Sequence, residues 1–208
     1  MIDVGAWSRA CLFPRVAFSS IILGDDMDVS QAQADVRRIY RAGFPGPLVS
    51  AVLWAAASAV FTWGSVAGGM ATLFFGGMLI FPLNTLLLKI LGGPVALSKG
   101  HPSAALAMQC AFTVPLGLVI AVALGSYEPV LFFPASLIIV GAHYLVFISL
   151  YGMRVYAVLA GALILLGLSA LLVIPELGGI SGWLGAAVFL LFTVVLYRAQ
   201  DDPVKAAP

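Results

Sequence analysis

Charge is what this sequence has least of. Only 9% of its 208 residues are Asp, Glu, Lys or Arg, against about 25% in soluble domains. That scarcity excludes a fold solvated by water, because a chain that is 62% hydrophobic with a mean hydropathy of +1.10 has too little polar surface to cover its apolar groups. A net charge of +1 supplies no field for nucleic acid, and no basic cluster is interleaved with aromatics, so nucleic acid is not an expected partner. The two cysteines, Cys11 and Cys110, offer neither a disulfide framework nor metal-ligand spacing and read as packing thiols. With only two histidines, and no carboxylate inside any long apolar run, the three or four ligands of a zinc site are lacking and no metal is expected.

Catalytic signatures are absent as well. There is no Gly-x-Ser-x-Gly, no His-Glu-x-x-His, no pair of membrane aspartates, and no P-loop or dinucleotide fingerprint. No nucleophile–base pair is visible at matched depth. The sequence therefore assigns no catalytic residue and no cofactor, and a non-enzymatic protein is the expected class.

What the sequence does contain is six apolar runs, at 48–63, 66–91, 104–124, 130–150, 155–174 and 180–197. About 20 apolar residues cross a bilayer as a helix, since every backbone N–H and C=O must be paired within the segment. The expected fold is all-α: a polytopic transmembrane helical bundle of six spans, occupying 44–198 as one domain. Gly64-Ser65 closes the first pair as a helical hairpin, and Gly92 to Pro102 is the longest connection.

Ahead of the bundle, residues 1–27 read as a poorly ordered cytoplasmic extension, with Met27 as an alternative start. Residues 28–43 read as an amphipathic interfacial helix, with Val29, Ala32, Val36, Ile39 and Tyr40 on one face and Arg38 and Arg41 elsewhere. Ser30 and Gln33 fit a capping box, while Gly43, Pro45 and Pro47 fit a stop. Such a helix lies at the inner headgroups with its arginines toward anionic lipid, or is a solvated lead-in. Residues 199–208 form a cytoplasmic tail.

Six spans with a cytoplasmic amino terminus place all ten Lys and Arg residues on one side: Arg9, Arg15, Arg37, Arg38, Arg41, Lys89, Lys99, Arg154, Arg198 and Lys205. The other side receives only Glu128 and Glu176. This is the asymmetry of the positive-inside rule and implies a cytoplasmic membrane with both termini cytoplasmic. Lys89 and Arg154 are expected to snorkel to the inner interface. Tyr144, Tyr151, Tyr156 and Tyr197 read as interfacial anchors.

Polar groups within lipid are costly, so each is a candidate site residue. The set is small: Asn84, Gln109, Thr113, His143 and Tyr144. At about 1.5 Å per residue, Asn84, Gln109 and His143 fall in the cytoplasmic half or near the midplane. On sequential antiparallel helices these side chains can meet and replace the hydration of a small polar solute, or His143 can carry a proton. The same residues also fit a second reading, as hydrogen-bonding glue between helices of an interaction or assembly subunit. His101, in the Lys99-Gly100-His101-Pro102 loop, reads as part of a solvated turn. Pro82, after Gly76-Gly77, and Pro115 favour helix kinks, and a broken helix or re-entrant turn in the second span would suit a midplane site. The small-residue pairs Gly64/Gly68, Ala157/Gly161 and Gly178/Gly182 permit close helix contact, within the chain or in a homo-oligomer or membrane partner complex.

At Gly76 to Gly92 (GGMLIFPLNTLLLKILG) and Gly141 to Arg154 (GAHYLVFISLYGMR), the chain resembles an uncharacterised family of small bacterial multi-span membrane proteins, a domain of unknown function. The resemblance covers roughly residues 30–175 and implies a bacterial inner-membrane protein. It carries no activity and no site residues.

Overall fold

The computed structural model describes residues 28–92 and 96–200; the expected extension over 1–27, Cys11 and nearly all of the expected tail lie outside them. Among the described residues seven α-helices follow one another: α1 Val29–Ile39, α2 Pro45–Ala59, α3 Val66–Ile90, α4 Ser103–Tyr127, α5 Phe132–Tyr151, α6 Val155–Leu168 and α7 Ser181–Ala199. Counting the turns that extend them, six are long and apolar enough to cross a membrane, which makes this a multi-pass membrane protein with an all-α bundle.

The helix boundaries differ from the expected ones at the prolines. Pro45 and Pro47 lie in the first turn of α2 rather than in a loop. At that position the missing N–H would have had no helical partner, so proline starts the helix instead of separating two. Conversely, Pro82 and Pro115 sit inside α3 and α4, both of which run on without interruption. The expected broken helix or re-entrant turn in the second span does not occur.

The expected capping box is also replaced. Asp28 is the N-cap of α1, with Ser30 Oγ donating to Asp28 Oδ2 at 2.7 Å. Gln33 instead reaches across the bundle, its Nε2 donating to the Ser149 carbonyl at 2.8 Å. Arg37 Nη1 donates to the Tyr151 carbonyl at 2.6 Å, and Arg41 Nη2 to the Leu91 carbonyl at 2.7 Å. These carbonyls close the C-terminal turns of α5 and α3, where free C=O groups and the negative end of the helix dipole attract cations. Arg37 and Arg41 are therefore not directed at lipid; Arg38 is the exposed one, paired with Asp35 at 2.8 Å. In effect α1 is a cap clamped over the ends of two spans.

A tight turn joins this cap to α2. Arg41, Ala42 and Gly43 have φ of 49°, 53° and 78°. Left-handed backbone costs a residue with a Cβ about 1–2 kcal/mol. The Arg41 hydrogen bond offsets that strain, as does the buried Tyr156 hydroxyl, which donates to the Ala42 carbonyl at 2.8 Å. Tyr144, Tyr151 and Tyr156 are thus buried beneath α1 instead of anchoring at the interface; of the four expected anchors, only Tyr197 is exposed. Their rings form one cluster with Phe147: Tyr144 and Tyr156 lie within 9° of parallel, while Phe147 meets Tyr156 edge-on. His101 is likewise buried, its Nδ1 accepting from the Ser103 N–H at 3.1 Å and its Nε2 lying 4.0 Å from Asp35 Oδ2, so it docks the α3–α4 connection under α1.

Between helices, lipid provides no hydrophobic drive, so close backbone packing carries the association. Between α5 and α6 the backbones approach closely. A Cβ on Gly167 would lie 2.7 Å from the Pro134 carbonyl oxygen, and one on Gly141 would lie 3.1 Å from that of Ala160. Gly182 and Gly185 let α7 approach Phe133 and Trp54. By contrast, nothing lies within 4 Å of a Cβ on Gly161, so the expected Ala157/Gly161 contact is not used within the chain.

The alternation of spans sorts the charges. Among the described residues, Arg37, Arg38, Arg41, Lys89, Lys99, Arg154 and Arg198 all lie at the α1 end, and Glu128 and Glu176 at the other.

Candidate functional site

In the half of the bundle beside α1, helices α2, α3, α4 and α5 do not close on one another. They border a cavity of about 180 Å³. Its walls are largely apolar and aromatic, with Leu53, Trp54, Phe81 and Phe147 among them. Leu73, Leu118 and Val140 form its floor, near mid-bundle, and Tyr40 and Tyr151 lie at the α1 end. Burial pushes the Tyr40 phenol above its ordinary pKa, the nearby Leu97 backbone partly offsetting this. Beyond the floor the helices pack tightly: a Cβ on Gly125 would lie 2.7 Å from both Met70 Sδ and Phe132 Cβ.

Four polar side chains line the middle of the cavity: Ser50 from α2, Asn84 from α3, and His143 and Tyr144 from α5. Asn84 Oδ1 is buried and has no hydrogen-bond partner. A buried amide oxygen left unpaired costs about 1–3 kcal/mol, which a ligand N–H or O–H in the cavity would relieve. His143 is fixed from behind, Cys110 Sγ lying 3.1 Å from its Nδ1 and 3.7 Å from its backbone carbonyl oxygen. Phe147 packs on the imidazole at a centroid distance of 4.9 Å. When the thiol donates to Nδ1, Nε2 carries the ring proton and becomes a donor. The polar groups of the lining residues then include a donor, His143 Nε2–H, and an unpaired acceptor, Asn84 Oδ1, beside the hydroxyls of Ser50 and Tyr144.

Of the five residues expected to form a site, three meet here: Asn84, His143 and Tyr144. Gln109 and Thr113 do not. Both lie exposed on the outer face of α4, where Thr113 Oγ1 donates to the Cys110 carbonyl at 2.8 Å. They have the expected depth but the wrong azimuth, since one residue along a helix turns the side chain by about 100°. Cys110, next to Gln109, is the residue that faces α5.

Cys110 is buried, as a packing thiol would be, and beyond that expectation it also meets the His143 imidazole. The signal was available by counting from the Glu128 turn, which Cys110 precedes by 18 residues and His143 follows by 15. In an antiparallel hairpin those counts differ by only about 4.5 Å of depth. The sulfur does not itself line the cavity, so the pair orients the imidazole rather than presenting a nucleophile. Pro115 lines the cavity beside Ala111, and its missing N–H leaves the Ala111 carbonyl without its usual helical donor. Among the described residues, no group of three or more His, Cys, Asp and Glu side chains is placed to hold a metal ion.

No curated protein and no solved structure matches this sequence. One family model does, across residues 29–199, described as a family of unknown function, DUF7010. That span takes in α1 and all six membrane helices, so both the cap and the cavity lie within the matched region. The chain belongs to this family of unknown function.

Proposed function

We propose that this protein binds a small hydrogen-bonding solute within the membrane, in the cavity on which Asn84 and His143 converge. The observation that carries this reading is the buried, unpaired Oδ1 of Asn84, a residue that lines the same cavity as a histidine held in place by Cys110. Glue residues bond to each other across helices, as His143 does through Nδ1 to Cys110, whereas Asn84 Oδ1 has no partner although its side chain lines the cavity. A floor of apolar side chains, Leu73, Leu118 and Val140, favours holding a solute over conducting one or relaying a proton. We assign the α1 end to the cytoplasm of a bacterial inner membrane, on the support of the seven described cations gathered there. A phosphatase that is active only outside the cytoplasm, fused to the carboxyl terminus, is then inactive; an active fusion would reverse the assignment.

The binding reading is tested with phenol, a ring-sized probe whose hydroxyl both donates and accepts. Calorimetry on the detergent-solubilised protein is expected to show binding that weakens about tenfold in both Asn84→Ala and His143→Ala, the loss of one hydrogen bond. Folded yield stays at the wild-type level. Equal phenol affinity in all three proteins would remove the site. A second reading, a non-catalytic assembly subunit, is supported by Gln109, whose amide lies exposed on the apolar outer face of α4. Under that reading the wild-type chain does not bind phenol, and the two substitutions only lower the melting temperature.

A further inference from the structure

The cavity is not enclosed on every side. Two of its lining residues, Phe81 of α3 and Ala111 of α4, are also exposed on the outer surface of the bundle, Phe81 by 61%. They come from the two neighbouring helices α3 and α4 and are both exposed and cavity-lining, which puts an opening of the cavity between these helices. Nearer mid-bundle α3 and α4 are in contact, a Cβ on Gly77 lying 3.5 Å from Leu118 Cδ1, so the opening is confined to the half next to α1. These are also the two least covered spans, with 11% and 17% of their most apolar stretches buried. The mouth therefore faces the hydrocarbon of one leaflet. At the α1 end the route is obstructed, because the cap is tied to α5 and α3 by Gln33, Arg37 and Arg41.

Resting on the proposed binding role, we infer that the ligand enters sideways from the bilayer and is an amphiphile with a ring-sized hydroxylated head and an apolar tail, an alkyl phenol or quinol in chemical class. A cavity of about 180 Å³ accommodates a ring but not a chain; an engineered apolar cavity of about 150 Å³ takes benzene. Within it the ring hydroxyl donates to Asn84 Oδ1 and accepts from His143 Nε2–H. The ring packs among Trp54, Phe81 and Phe147. The tail has no room inside and passes between Phe81 and Ala111 into the acyl chains, where it keeps its membrane solvation. A headgroup-only solute from the cytoplasm would gain nothing from such a doorway.

The test uses the wild-type chain in lipid nanodiscs with 4-decylphenol carrying a photoreactive diazirine at the tail end. Labelled residues are mapped by mass spectrometry, with and without excess phenol. The expected result is labelling on α3 and α4 around Phe81 and Ala111, reduced about tenfold when phenol occupies the head site at roughly ten times its Kd. Phenol binding with 4-decylphenol excluded would overturn the lateral, tailed ligand while leaving the cavity as a solute site. Labelling concentrated on α1 or the α3–α4 connection would overturn the route. Labelling insensitive to phenol marks annular contact only and also overturns it. If phenol itself does not bind, the underlying binding role fails first.

Discussion

Leucine in place of Gly167 is expected to leave almost no folded protein. The obstacle to a side chain there is backbone: the Pro134 carbonyl oxygen, 2.7 Å from where the Cβ would sit, with the Ile138 amide nitrogen at 3.2 Å. A flexible side chain could swing aside, but here α5 and α6 must separate, and the facing contact at Gly141 is lost with them. The cost is about 4 kcal/mol or more, at the extreme for a single substitution. Size-exclusion recovery and thermal melting in detergent measure it. Gly161→Leu is the matched control on the same helix, since nothing lies within 4 Å of its Cβ. It should change stability by less than about 0.5 kcal/mol. Equal tolerance at both positions would show that α5 and α6 do not meet in this register.

Trp54→Ala carries the next largest expectation, because that side chain is both core and cavity wall. Trp54 is 1% exposed and packs on Phe133 and Phe189 at centroid distances of 5.9 and 5.6 Å. Truncating a buried tryptophan costs about 3–5 kcal/mol, part of it for the space left behind. Here that space joins the existing cavity. The melting temperature should fall sharply, and a ring larger than phenol, such as 2-naphthol, should bind the variant more tightly than it binds wild type. A small change in stability with no change in ring selectivity would place Trp54 outside the wall.

The architecture was legible because it follows from composition. Six apolar runs in a chain with 9% charge leave few solutions in lipid, and the side-to-side bias of Lys and Arg sets the alternation of connections. Depth was also legible: counting from the ends of the runs put Asn84, Gln109 and His143 in the right half of the bundle. Azimuth was not. A span that is apolar on all faces, such as α4, gives periodicity nothing to report, so Gln109 and Thr113 were turned inward when Cys110 and Ala111 hold that face. The same limit hid Ser50 and the inward-facing tyrosines.

The cap was misread for a different reason. An amphipathic helix with arginines looks the same whether its cations meet lipid phosphate or the carbonyls of neighbouring helix ends. Only the three-dimensional neighbours of Arg37 and Arg41 decide between them, and Tyr151 and Leu91 lie 114 and 50 residues away in sequence. Likewise, His101 looked solvated because its neighbours are Lys99, Gly100 and Pro102. It is α1, placed over that connection, that takes it out of water.

Filling the cavity without touching its polar groups tests the central claim most directly. Gly46 lines it from α2, and a Cβ there meets nothing within 4 Å, so Gly46→Phe can place a ring in the space without displacing the packed core. Calorimetric titration of this variant with phenol is expected to show affinity reduced by at least about tenfold, with the melting temperature of the ligand-free protein maintained or raised. Undiminished phenol binding by a well-folded Gly46→Phe protein would contradict the account, since the ligand would then lie somewhere other than between Asn84 and His143.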